Sequence, residues 1–285
     1  MSAENTFIAS LRALAKAPEA RGLDDDAAVI EFGKQTLVIT HDTIVEGVHV
    51  RDTDDPADIA WKLIAVNLSD LAAKGARPLG VLVSHMLGED DDRFVLGLSE
   101  VLAHHDVSLF GGDTVGGTGR RVWGCTAIGS AAHCPVPDRR GARPSDAIFI
   151  TGALGKAMLG FEGFGGFEHA YLRPKPLLEE GIALAPHVSA MMDVSDGLLL
   201  DAERMSRASR TTFALDSARI PVADNARFED CIRWGDDYQL LFTASPETAL
   251  PIAATRIGSV LDKGSTPLLL DGLPPDPNRP LGYQH

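Results

Sequence analysis

The chain has 285 residues and 45% hydrophobic content, long enough for two domains with sizeable cores. Its net charge of −14 argues against a nucleic-acid partner, which calls for a basic face. It does not argue against phosphorylated substrates, because bound metals invert the local field.

In chain order, residues 4–17 are expected as a helix with Phe7, Ile8, Leu11, Leu14 and Ala15 on one face. Asp24, Asp25 and Asp26 follow, and Ala27-Ala28-Val29-Ile30 starts a buried strand directly after them. Residues 36–40 read as a strand with Asp42 just beyond its end. Pro56 suits the first turn of a helix that runs to about Lys74 and stops at Gly75. Ile59, Leu63 and Val66 form its apolar stripe, and Asn67, Asp70 and Lys74 share one face. A buried-type strand over 79–84, an amphipathic helix over 91–105 and a short strand over 107–110 lead into Gly111-Gly112-Asp113-Thr114, and another strand covers 122–129. Around 132–146 the texture turns to proline, glycine and arginine, which places the domain boundary there and divides the chain into 1–135 and 136–285. Strands at 147–151, 190–194, 239–243 and 256–261 and a helix from 198 to 209 make up the second part, before an extended Pro274–Pro280 tail. The chain shows no tandem repeat.

No apolar run reaches the roughly 18 residues that span a membrane. Glu4 and the absence of a basic segment argue against a secretory signal. Cys125, Cys134 and Cys231 are spaced too irregularly for a disulfide framework or a zinc site, so a cytoplasmic setting is expected.

The informative feature is a set of acidic clusters far apart in sequence, each beside a strand or buried helix. They are Asp24–Asp26, Asp42, Asp70, Asp113, Asp193 with Asp196, and Asp236-Asp237. Carboxylates repel, so a fold that gathers them needs cations. Hard oxygen donors without His or Cys favour Mg²⁺, which in such sites carries substrate phosphates. Metal-dependent phosphoryl transfer is the chemistry this implies. Each cluster also has an ordinary reading. Gly112-Asp113 fits a common turn, Ser195 or Asp196 a helix cap, Asp70 with Lys74 a surface pair, and Asp24–Asp26 a solvated loop. Ser195-Asp196-Gly197 opens a helix whose free N–H groups could receive an anion. Thr151-Gly152-Ala153-Leu154-Gly155-Lys156 imitates a phosphate loop but has two residues between its glycines where that motif has four, and Ala157 follows the lysine. A calcium protein would place its ligands at short regular spacing, unlike these clusters.

Taken together, Asp25-Asp26-Ala27-Ala28, Thr40-His41-Asp42, Val45-Glu46-Gly47-Val48-His49, Asn67-Leu68-Ser69-Asp70-Leu71-Ala72-Ala73, Gly111-Gly112-Asp113-Thr114, Ser195-Asp196-Gly197 and Asp236-Asp237-Tyr238 occur in an order that resembles the thiamine-monophosphate kinase family. The resemblance covers nearly the whole chain. It implies an α/β fold of two domains: an N-terminal ATP-binding domain that dimerises through its strands, and a C-terminal domain with a mixed sheet. It implies transfer of the ATP γ-phosphoryl group to thiamine monophosphate with several Mg²⁺ ions, in a homodimer. Under it, Asp26, Thr40, Asp42, Asp70, Asp113, Asp193 and Asp196 are metal ligands, and Asp42 and Asp113 are catalytic. Gly112, Asp113, Arg139 and Ser195 contact ATP, while His49, Asp236 and Tyr283 face the thiamine phosphate. The chain departs from the family pattern at Asp24, His41, Gly116, Trp234 and Gln239. A sister enzyme of the same superfamily and a non-catalytic homologue that binds ATP or a thiamine phosphate are the alternatives.

Overall fold

The computed structural model describes residues 3–284. Its first part comprises α1 (Ala3–Arg12), β1 (Ala28–Phe32), β2 (Gln35–Val45), α2 (Pro56–Ala73), β3 (Ala76–Met86), α3 (Asp91–His105), β4 (Ser108–Val115) and β5 (Val122–Ala131). These strands form one five-stranded sheet in the order β1-β2-β5-β3-β4. Neighbours are antiparallel except β3 and β4, which α3 connects as a parallel pair.

The second part comprises β6 (Ala147–Ile150), α4 (Lys156–Phe161), α5 (Glu168–Leu172), α6 (Leu178–Leu184), β7 (Ala190–Val194), α7 (Leu198–Ser209), β8 (Thr212–Leu215), α8 (Phe228–Cys231), β9 (Gln239–Ala244), β10 (Thr255–Leu261) and β11 (Leu268–Leu270). Its six-stranded sheet runs β11-β8-β10-β6-β9-β7 and is mixed, because β11 joins β8 in parallel while the other pairs are antiparallel. The fold is α/β with two sheets, as the sequence implied.

α2 is the element the two halves share. Asp55 caps it by accepting from Ala57 N–H at 2.9 Å, and Pro56 fills the first turn, where no N–H is required. It ends at Gly75, whose φ of +57° and Cβ position 2.5 Å from Ala185 Cβ admit no side chain. Leu63, Leu68 and Leu71 are fully buried against Val38, Ile44 and Trp123 of the first sheet. Each contributes on the order of 1.5–3 kcal/mol. Ala72 and Ala73 pack instead with Phe149, Met191 and Leu240 of the second half. A helix covered on two sides has no wet face, so the polar residues it carries must find partners inside the protein.

Four expectations change. α1 stops at Arg12, and Phe7 and Leu14 of its stripe remain 65% and 77% exposed while Ile8, Leu11 and Ala15 are only partly buried, so that face is not a core face. β2 extends through Asp42, which lies inside the strand and not past its end. Gly111, Gly112 and Asp113 likewise lie within β4, an edge strand exposed along its length. β3 is buried on one face only: Val81 and Val83 point to the core while Leu79 and Leu82 are exposed. β8, β11 and α4–α6 carry no expectation from the sequence, being short and without a full period of apolar spacing.

Candidate active site

Three carboxylates converge where the halves meet. Asp26 from the loop before β1, Asp70 from α2 and Asp193 from β7 offer oxygens within 4.8 Å of one another. Thr40, on the helix-facing side of β2, donates its hydroxyl to Asp70 and reaches the Asp26 carbonyl at 3.2 Å. Ser69 donates to Asp193 at 2.6 Å. Asp42 lies on the same face of β2 as Thr40, its N–H donating to Asn67 Oδ1 at 3.0 Å. Thus Asp26, Thr40, Asp42, Asp70 and Asp193 come together as expected.

Such crowding is electrostatically costly. Burial drives the Asp70 carboxyl well above the ordinary carboxylate range, and the charges of Asp42 and Asp193 add to it. Burial, then Asp193 and Asp196, pushes Asp42 up to about 6. Asp193 is raised chiefly by burial. All donors are oxygen, and Asp26 Oδ2, although 2.8 Å from Lys74 Nζ, sits outside hydrogen-bonding alignment. A hard divalent cation fits this set of oxygen donors.

The cluster's flanks carry their own cations. Lys74 is fully buried and pairs with Asp25 at 2.5 Å, not with Asp70, so the surface-pair reading fails. Arg21 also lies 2.5 Å from Asp25. Burial raises Asp25, but these charges outweigh it and hold its carboxyl below the usual range. Only Asp24 of the acidic triplet is substantially exposed, so the solvated-loop reading fails as well. Arg139, expected at ATP, forms an ion pair with Asp26 at the edge of the cluster.

The turn after β7 is occupied differently from expectation. The N–H groups of Ser195 and Asp196 donate to Asp201 Oδ2 at 3.1 and 3.0 Å, so a carboxylate of the chain takes the anion position. Asp201 is itself pushed up to about 7 by burial and by Asp196. Asp196 pairs with Arg204. The rejected phosphate loop behaves alike, since Gly155 N–H donates to both Asp237 oxygens, at 2.9 and 3.1 Å.

A second group forms beside the acidic cluster. His49 accepts from Val45 N–H at 3.0 Å, and its ring lies edge-on to Tyr283 with centroids 6.5 Å apart. Tyr283 N–H donates to the Asp196 carbonyl at 2.9 Å, which ties the C-terminal segment to the β7 turn. Lys62 of α2 donates to the His49 carbonyl at 3.2 Å and to Asp236. His49, Asp236 and Tyr283 therefore belong to one neighbourhood.

Asp113 does not. Ser84 pairs with both Asp113 and Gly124, and Gly124 with Thr43, so Asp113 shares the face of Thr43, opposite to that of Asp42. There it lines an open pocket of about 290 Å³ with His41, Thr43 and Ser84. Gly112 lies against β3, where a Cβ would meet the Val83 carbonyl at 1.9 Å. Within one chain neither residue reaches the cluster.

Sequence reading gave no role to Lys62, Ser69, Asp201 and Arg204, and it weighed Lys74 only as a surface partner of Asp70. The available signal was a pair of lysines inside an otherwise apolar helix, since buried lysine is rare unless paired.

Comparison with known proteins identifies the family of the chain. The model of AIR synthase related protein, N-terminal domain, matches residues 24–131, and that of the C-terminal domain matches 144–261. Thiamine-monophosphate kinase of Escherichia coli strain K12 is 34% identical over 83% of this chain and 81% of that protein. The chain belongs to the thiamine-monophosphate kinase family. The Caulobacter vibrioides member is 35% identical over 85% of this chain and 76% of its own length. A solved structure of Aquifex aeolicus ThiL complexed with AMPPCP and TMP superposes with a TM-score of 0.88 at 26% identity, covering 97% of both chains.

Proposed function

We propose that this chain phosphorylates thiamine monophosphate to thiamine diphosphate, taking the γ-phosphoryl group of ATP by direct in-line transfer with several Mg²⁺ ions. The carrying observation is the meeting of Asp26, Asp70 and Asp193 from three separated segments in one buried, oxygen-only site. The relatives' names and the AMPPCP and TMP bound in ThiL supply the substrates. The acceptor is a phosphate oxygen already ionised at neutral pH, so no general base is required. Catalysis then rests on positioning and on charge neutralisation.

Asp26, Thr40, Asp42, Asp70, Asp193 and Asp196 would hold the ions. Mg²⁺, when bound, neutralises the phosphate oxygens and the crowded carboxylates together. Arg139 and the Ser195 hydroxyl would attend the nucleotide, and His49, Asp236 and Tyr283 the thiamine phosphate.

We further propose a homodimer formed through the outer face of the first sheet. Leu82, Phe110, Val115 and Val122 are 39–55% exposed there, on either side of the row that carries Thr43, Ser84 and Asp113, and large apolar side chains left exposed together on one sheet face are of the kind that marks an interface. Asp113 and Gly112 would then serve the site from that face. Residues 132–146, between the last strand of one sheet and the first of the other, are the proposed domain boundary. No described helix is long and apolar enough to cross a membrane, and the three cysteines are unpaired, which supports a cytoplasmic setting.

The test is chromatographic, with ATP, Mg²⁺ and thiamine monophosphate and an Asp70→Asn control. Equal amounts of ADP and thiamine diphosphate, lost in the control, are expected. Mg²⁺-dependent ATP binding without product would overturn the kinase reading and favour a non-catalytic homologue.

A further inference from the structure

We propose that Lys62 is a positioning residue for the phosphate acceptor, holding Asp236 and the His49 turn in register from beneath the site. The proposal rests on the kinase reading above and adds a residue to it. Lys62 lies in α2 with only 2% of its side chain exposed. An ammonium taken out of water costs several kcal/mol unless its partners are well placed, and an aliphatic side chain would fill the same volume without that cost. A role in holding partners accounts for the charge.

Those partners are specific. Nζ donates to the His49 carbonyl at 3.2 Å and to Asp236 Oδ2. It also sits 4.0 Å from the centroid of the Tyr171 ring, whose hydroxyl is fixed by Asp54 at 3.0 Å. The other oxygen of Asp236 accepts from Tyr238 at 2.8 Å, so the carboxylate is gripped from both sides. The backbone there resists this arrangement: Asp236 and Tyr238 have φ of +61° and +50°, a left-handed conformation costly for residues with a side chain. External contacts must hold the turn, and Lys62 supplies one from the other half of the molecule. Because the His49 contact is made by the same ammonium, one side chain sets the separation of two groups that face the acceptor. None of these hydrogen bonds is made to Asp26, Asp42, Asp70 or Asp193.

The experiment is steady-state kinetics of Lys62→Met and Lys62→Gln, with Asp236→Asn alone and combined with Lys62→Met. Expected is a rise of about tenfold or more in KM for thiamine monophosphate, the loss typical of a charged hydrogen bond. KM for ATP should stay at the wild-type value. In the Asp236→Asn background the effect of Lys62→Met should shrink, since the two residues act as one unit. Equal shifts in both KM values, or full additivity with Asp236→Asn, would overturn the proposal and leave Lys62 a structural residue. Lys62→Gln keeps a polar end that is shorter and uncharged, so it loses the charged hydrogen bonds without leaving an apolar tip and provides the test if Lys62→Met fails to fold. Wild-type protein without turnover would overturn the kinase reading and this proposal together, whereas active wild type with unshifted variants overturns this proposal alone.

Discussion

Lys74 Nζ lies 2.5 Å from Asp25 Oδ1, and neither side chain is exposed to solvent. This pair joins the end of α2 to the loop that carries Asp26, and so fixes one wall of the acidic cluster. Removing one partner of a buried pair leaves an uncompensated charge, at a cost of about 3–5 kcal/mol. Arg21 still faces Asp25, so Lys74→Met should lose stability at the lower end of that scale in a denaturant titration. Asp25→Asn, which keeps an acceptor for Lys74 and relieves no crowding, should lose less.

The acidic cluster should show a trade between stability and activity. Without metal, the folded protein favours the protonated form of Asp70, because burial and the charges of Asp42 and Asp193 raise its pKa. A carboxyl raised in the folded state loses stability as pH rises from its unfolded value through its folded one. Asp70→Asn removes that loss while leaving an acceptor for Thr40. In chelator at pH 8 the variant should melt at a higher temperature than wild type, and at pH 5 the difference should shrink. With Mg²⁺, ATP and thiamine monophosphate it should turn over on the order of 10²-fold more slowly or worse. A variant that is both less stable without metal and fully active would remove Asp70 from the metal set.

Much of this site was legible in the sequence, and what was not has a physical reason. α2 could be placed almost to the residue, because Pro56 and Gly75 are local signals that act within one turn. Asp26, Asp42, Asp70 and Asp193 could be singled out because an acid beside an apolar strand or helix needs a partner. Which partner is a tertiary fact. Lys74 stands four residues from Asp70 in sequence, yet it pairs with Asp25, forty-nine positions away. The face of Asp113 was equally hidden. Side chains alternate along a strand, so the register of β3 against β4 and β5 decides it, and register is set by long-range pairing. Short strands such as β11 carry too few residues for any period to show.

The outer face of the first sheet gives a third prediction. Leu82 and Phe110 are 39% and 55% exposed on it. If two copies meet there, Leu82→Glu places a charge in the contact and should shift sedimentation from dimer to monomer without changing the far-ultraviolet spectrum. Turnover should fall with the dimer fraction and recover partly at high protein concentration, because Asp113 would be withheld from the site in the monomer. Monomeric wild-type protein with full activity would overturn both the dimer and the role given to Asp113.

The last prediction concerns Asp237, the carboxylate that fills the loop resembling a phosphate cradle. Burial pushes it up to about 8, and the Gly155 N–H only partly offsets this. The unfolded chain ionises the same group near 3.8. Between those values the folded state binds a proton that the unfolded state has released, so the contribution of this group to stability should fall as pH rises from about 4 to about 8 and level off above. Asp237→Asn holds no such proton and keeps an acceptor for Gly155. Its stability relative to wild type should therefore improve with pH across that window, read from denaturant midpoints at pH 5, 6.5 and 8.5. A difference that does not change with pH would mean that Asp237 is ionised in the folded protein and that the loop's N–H groups hold it as an anion. The loop would then be an anion cradle after all, occupied by the chain's own carboxylate.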